Sequence, residues 1–224
     1  MTLEALKESL ASCASLCTVL LFMTGMFTAS KILKRKTVGE DSYAPFITGF
    51  LSCSLWLRYG TLIEDPTITL VNTVGVFLHF SYLSVYIFHS KSQLGIVKQL
   101  TPSILCLLIV LFYTFCLEEN IDVVKFYVGL IASAITIAFF AAPMTKLMHV
   151  IRCRSVECLP FPMIAASFIV SAQWLLYGFI LNDPFITVPN SLGCFLSFVQ
   201  LTLFFIYPST PDGIRREFSL APAP

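Results

Sequence analysis

Apolar residues run through the chain in seven long stretches, each closed by charges or by proline. They extend approximately from Leu10 to Ile32, Pro45 to Ile63, Pro66 to Phe88, Pro102 to Leu117, Phe126 to Met148, Pro160 to Leu181 and Pro184 to Tyr207. A helix needs about 20 mostly apolar residues to cross a hydrocarbon core of about 30 Å, so each stretch predicts a transmembrane helix. The fourth is short when counted from Pro102 and is expected to begin a few residues earlier. Only Glu64-Asp65-Pro66 separates the second stretch from the third, and only Asn182-Asp183-Pro184 the sixth from the seventh. Both sites predict tight helical hairpins.

Composition agrees. Of 224 residues, 57% are apolar and 12% charged, and mean hydropathy is +0.83, whereas a soluble domain is about a quarter charged. The net charge of +1 excludes nucleic-acid binding through a basic face. Most of the eight cysteines lie inside apolar runs, which excludes a disulfide-stapled secreted module. No metal-ligand spacing occurs, and Cys153 and Cys158 are poorly placed for zinc. With no phosphate loop and no nucleophile elbow, no cofactor, metal or enzymatic activity is expected.

Alternate loops differ in basic residues, which orients the chain. One side collects Lys31, Lys34, Arg35, Lys36, Lys91, Lys98, Lys146, Arg152, Arg154, Arg215 and Arg216; the other has only Lys7, Arg58 and Lys125. The amino terminus is therefore expected outside or in a lumen, and the carboxyl terminus in the cytosol. The first stretch does not read as a cleaved signal, because its basic flank follows it and no small-residue cleavage site is evident. No organelle signal is present; the plasma membrane is the expected location, with the Golgi or another endomembrane as the alternative.

An internal repeat organises the chain. At an offset of 118, Trp56, Tyr59, Gly60, Asp65, Pro66, Asn72 and Gly75 fall on Trp174, Tyr177, Gly178, Asp183, Pro184, Asn190 and Gly193. Upstream, Lys36-Thr37-Val38 falls on Arg154-Ser155-Val156, and Gly25 on Pro143. The expected fold is an all-α membrane protein of seven transmembrane helices. A first three-helix repeat (8–89), a linker helix (98–118) and a second repeat (126–207) precede a cytosolic tail (208–224). Three crossings end on the opposite side from their start, so two parallel repeats need one extra crossing between them. Transport sites in repeat-built transporters lie near the midplane, where repeats meet.

Inside each hairpin, the Trp and the Asn are both eight residues from the turn centre, near 64 and 182. That distance is about 12 Å of helix, close to half of a core of about 30 Å. Trp56, Trp174, Asn72 and Asn190 can therefore share one level. Indole faces cover the C–H surface of a sugar ring while amides exchange hydrogen bonds with hydroxyls, and the set is uncharged, which suits a neutral ligand. Two structural readings compete: a membrane Trp is often an interfacial anchor, and a membrane Asn often joins helices. Ser52 and its counterpart Val170, four residues before each Trp, read either as cavity lining or as packing.

Gly25, Pro45, Pro143 and Pro160 lie in the cytosolic parts of the first two helices of each repeat, where weak points would let an inner gate bend. Pro45 and Pro160 alternatively begin their helices, with Pro162 a second candidate. Tyr59 and Asp183 are candidates for an outer lid, and Asp65 and Asp183 alternatively are turn residues before proline. No Asp, Glu, Lys or Arg occupies a predicted helix centre, which argues against proton coupling. His79, the one midmembrane histidine, lacks a repeat partner and reads as packed.

Three segments carry a family resemblance. They are Arg154-Ser155-Val156-Glu157-Cys158-Leu159-Pro160-Phe161; Trp174-Leu175-Leu176-Tyr177-Gly178; and Asn182-Asp183-Pro184-Phe185-Ile186, running into Val188-Pro189-Asn190-Ser191-Leu192-Gly193-Cys194. The chain resembles the SWEET, or saliva-type, sugar transporters over nearly its whole length to Tyr207. That family is itself a known example of parallel repeats. The resemblance implies a facilitator of mono- or disaccharides, without proton coupling and often assembled as a homo-oligomer in the lipid bilayer. It implies sugar contacts at Asn72, Asn190, Trp56 and Trp174, with Ser52 less firmly placed. A proline tetrad is implied at Pro45, Pro143 and Pro160, its first member replaced here by Gly25, which is flexible without forcing a kink. Tyr59 and Asp183 match the family's outer gate.

Rival readings are a PQ-loop-like transporter of amino acids or other small metabolites, a seven-helix receptor, and a membrane scaffold. No Pro-Gln dipeptide occurs in the chain, and a receptor is not expected to repeat three helices.

Overall fold

The computed structural model describes residues 3–117 and 119–207, and no strand occurs among them. The tail expected at 208–224 and the last residue of the expected linker lie outside the described residues. The helices are α1 (Leu3–Met23), α2 (Gly25–Arg35), α3 (Ala44–Leu62), α4 (Pro66–His89), α5 (Leu94–Phe112), α6 (Ile121–Ala138), α7 (Ala141–Cys153), α8 (Phe161–Leu181) and α9 (Pro184–Ile206). One π turn, Tyr113–Leu117, extends α5. Six spans among the described residues are long and apolar enough to cross a membrane. The seventh, α3, has 19 residues, and its length of about 28 Å also suffices.

Two expected segments turn out to be broken. The first divides at Thr24, whose hydroxyl folds back to donate to the carbonyl of Leu21 at 2.7 Å. The fifth divides at residues 139–140, between α6 and α7. A continuous apolar run hides such breaks, because hydropathy does not register backbone direction. The linker helix starts at Leu94, with Pro102 in its interior. Membrane helices tolerate an internal proline, so Pro102 does not mark the start that it would in water.

The chain packs as two compact units, one ending at Thr136 and the other starting at Ile137. In the first unit a core cluster gathers Ala29, Ile32, Phe46, Ile47, Tyr82, Leu83, Tyr86 and Ile96, which fixes the start of the linker helix onto α2, α3 and α4. The second unit has its own cluster of Val150, Val156, Leu159, Ile164 and Leu203. Ile32, Phe46 and Val38 of the first cluster and its margin fall on Val150, Ile164 and Val156 at the 118-residue offset.

The two hairpins have the same construction. Glu64 and Asn182 take left-handed backbone angles, with φ 57° and 53°, and end α3 and α8. The next N–H, of Asp65 or Asp183, reaches back to the carbonyl of Gly60 or Gly178 at 2.9 and 3.0 Å, as in a Schellman turn. The Asp65 carboxylate then accepts from the N–H of Ile68 at 2.9 Å, and that of Asp183 from Phe185 at 2.8 Å. Each aspartate thus caps the helix that its proline opens. A methyl group on Gly60 would lie 2.9 Å from the backbone nitrogen of Thr69, and one on Gly178 3.0 Å from that of Thr187. The hairpin arms touch at backbone, which requires glycine at both places.

Candidate functional site

In both units the candidate residues sit on the arms of these hairpins, half-buried. Asn72 Nδ2 donates to the carbonyl of Ile68, and Asn190 Nδ2 to that of Ile186, each at 2.8 Å and each one turn back in its own helix. These bonds orient the carboxamide and leave its oxygen and second N–H for another group. They are not bonds to a neighbouring helix, so the reading of either Asn as a link between helices finds no support in them.

The indoles are fixed in the same way twice. Trp56 lies edge-on to Tyr59 at 5.7 Å and 85°, and Trp174 to Tyr177 at 5.5 Å and 89°. Both tyrosines are buried, one helical turn along from their tryptophans. Trp56 Nε1 also donates to Thr136 Oγ1 at 3.0 Å. With that N–H engaged, Trp56 has its ring surface to present to a ligand. Ser52 is half-buried one turn further from the hairpin turn, as is Val170.

The gating candidates divide into two kinds. Pro45 is the second residue of α3 and Pro160 caps α8, so neither interrupts a helix; Pro162 is the second residue of α8, the place that Pro45 holds in α3. Gly25 opens α2 and Pro143 lies in the first turn of α7, directly after the two breaks. Tyr59 is buried in the first unit, and the Asp183 carboxylate serves as the cap of α9.

One residue of the site, Thr136, was not anticipated. Thr136 holds Trp56 and is matched at the offset by Thr18; their hydroxyls donate to Ala132 and Ala14 at 2.8 and 2.7 Å. That identity was present in the sequence and would have appeared on extending the offset upstream. His79 packs edge-on to Phe22 at 5.2 Å and against Gly49. Arg58 donates to Thr114 Oγ1 at 3.3 Å and lies 4.2 Å above the Phe115 ring, tying the π turn to α3. No group of three or more potential metal ligands occurs among the described residues.

A family model described as a sugar efflux transporter for intercellular exchange matches residues 8–94 and again 126–212. The two matches are displaced by 126 − 8 = 118, the repeat offset. The chain belongs to the SWEET family of sugar transporters. It is 43% identical over 202 residues to the sugar transporter SWEET1 of Drosophila pseudoobscura pseudoobscura, covering 90% of this chain and 89% of the relative. It is 33% identical to the human SWEET1, covering 85% and 89%. A solved eukaryotic SWEET transporter superimposes with a TM-score of 0.77 at 28% identity, covering 89% of this chain and 97% of that one. As a SWEET protein it is an integral membrane protein of seven transmembrane helices.

Proposed function

We propose that this SWEET protein is a bidirectional facilitator that carries mono- or disaccharides down their gradient by alternating access. The observation that carries the reading is the duplicated half-site. Each unit offers one carboxamide oriented by a bond of 2.8 Å and one indole held edge-on to a tyrosine. Asn72 and Trp56, and Asn190 and Trp174, contact the sugar, with Ser52 as a further lining residue. Such groups recognise hydroxyls and C–H faces without charge. The names of its relatives, sugar transporters in each case, support the same substrate class.

A neutral substrate brings no charge to compensate, and the half-sites contain no carboxylate or ammonium to carry a coupling ion. Net flux then follows the sugar gradient alone. Gly25, Pro45, Pro143 and Pro160 flex at the cytosolic side, and Tyr59 and Asp183 close the outer side. The amino terminus faces outside or a lumen, the protein resides in the plasma membrane, and it assembles as a homo-oligomer.

Purified protein in liposomes is expected to equilibrate labelled glucose equally with and without a protonophore, and Asn190→Ala is expected to abolish this while the protein remains folded. Uptake that collapses with the protonophore removes the uniport reading. A panel of glucose, galactose, fructose, sucrose and amino acids separates a sugar carrier from a carrier of other metabolites.

A further inference from the structure

The broken first helices of the two repeats use different parts at the same place. Gly25 and Pro143 are counterparts at the 118-residue offset, and so are Tyr82 and Gln200. In the first unit a methyl group on Gly25 would lie 2.5 and 2.7 Å from Cε2 and Cδ2 of Tyr82. Gly25 has no positive φ, so its backbone angles would accept other residues. What requires glycine here is the space that the ring occupies.

That ring has little freedom to yield. Tyr82 is 4% exposed inside the cluster formed with Ala29, Ile32, Phe46 and Ile47, and it meets Phe46 at 5.7 Å. His79, one turn away, stands edge-on to it at 6.1 Å. In the second unit the buried Gln200 instead donates from Nε2 to the carbonyl of Pro143 at 3.2 Å.

We propose that Tyr82 is a positioning residue for the inner hinge of the first repeat. Its ring, seated against the bare backbone of Gly25, sets the bend that Pro143, tethered by Gln200, sets in the second repeat. The two hinges are therefore matched pairs, Gly with Tyr and Pro with Gln, and each member works only with its own partner. This rests on the alternating-access reading above, and it adds a residue to which the proline pattern does not point.

The test is an exchange of partners, read by sugar exchange in proteoliposomes and by thermal unfolding in detergent. Gly25→Pro alone places the proline ring against Tyr82 and is expected to slow exchange about tenfold or more and to lower the unfolding midpoint. Adding Tyr82→Gln recreates the second repeat's pair and is expected to restore both to within about threefold in rate. The reciprocal graft, Pro143→Gly with Gln200→Tyr, is expected to recover what Pro143→Gly alone loses. In both series the apparent sugar affinity should move less than the turnover, because the hinge does not touch sugar.

Wild-type rate and midpoint in Gly25→Pro, or double variants no better than their worse single variants, overturn the proposal. If the first double variant does not yield folded protein, the reciprocal graft decides by itself. A wild-type protein that exchanges no sugar defeats the transport reading instead, and the unfolding midpoints still report whether the residues are matched.

Discussion

The indole N–H of Trp56 donates to the hydroxyl of Thr136 at 3.0 Å, and that hydroxyl donates in turn to the carbonyl of Ala132 at 2.8 Å. A candidate sugar-facing ring of α3 is thus aimed by a threonine of α6. Interhelical hydrogen bonds in membranes are worth about 0.6 kcal/mol on average and about 1.7 at most. Losing this one should loosen the ring without unfolding the protein.

Thr136→Val, nearly isosteric but without an acceptor, is accordingly expected to raise the KM for sugar exchange about 3- to 20-fold, the factors that correspond to that energy range. Thr136→Ser, which keeps the acceptor, should stay close to wild type. A wild-type KM in Thr136→Val beside a raised KM in Thr136→Ser would show that the methyl group matters and the hydrogen bond does not.

Backbone contact in the hairpins leads to a stability prediction. A methyl group on Gly178 would stand 2.7 Å from Thr187 Oγ1 and 3.0 Å from the Thr187 nitrogen. The hydroxyl can rotate away, but the backbone cannot. Gly178→Ala is expected to cost about 1–3 kcal/mol, the usual range for overpacking, visible as a lower midpoint in detergent unfolding. Gly75→Ala, which meets the Cys53 sulfur and the Phe22 ring, should cost less because side chains can repack.

Much of this arrangement was legible in the sequence because it is written there twice. The Trp, Asn, Asp-Pro and Gly positions recur at one offset, and each recurrence has the same local geometry. Such geometry is set within a few residues, as with Asn190 bonding back to Ile186. What the sequence did not disclose are meetings between distant residues. Gly25 read as a flexible substitute for proline, whereas Tyr82, 57 positions later, is what requires it. Period and hydropathy say which residues are apolar, not which helix faces meet. Pro102 lies inside a helix that was expected to begin a few residues before it, because a helix in lipid accommodates proline that would end one in water.

The linker attachment gives a prediction without a transport phenotype. Arg58 has Leu176 as its repeat counterpart, and its guanidinium lies 4.2 Å above Phe115 while its Nε donates to Thr114. A cation over an aromatic ring contributes about 0.5–2 kcal/mol, depending on exposure. Arg58→Leu is expected to lower the unfolding free energy by about 0.5–2 kcal/mol, visible as a lower midpoint, and to leave the KM for sugar unchanged. A raised KM with an unchanged midpoint would place Arg58 in the transport path instead.

The two caps provide the sharpest separation of structure from gating. Asp65 and Asp183 both accept from N–H groups at the start of the following helix, at 2.9 and 2.8 Å, and a lost cap costs about 1 kcal/mol. If capping were the whole role of each, Asp65→Ala and Asp183→Ala would lower stability alike and leave turnover alike. The proposed outer gate adds a second duty to Asp183 alone. Asp183→Ala is then expected to reduce turnover well beyond Asp65→Ala at equal loss of stability, as measured by exchange rate per folded protein. Asp183→Asn keeps the capping oxygen, so its midpoint should stay near wild type. A turnover loss that persists in Asp183→Asn assigns the gate to the carboxylate charge; equal turnover in Asp65→Ala and Asp183→Ala removes Asp183 from the gate.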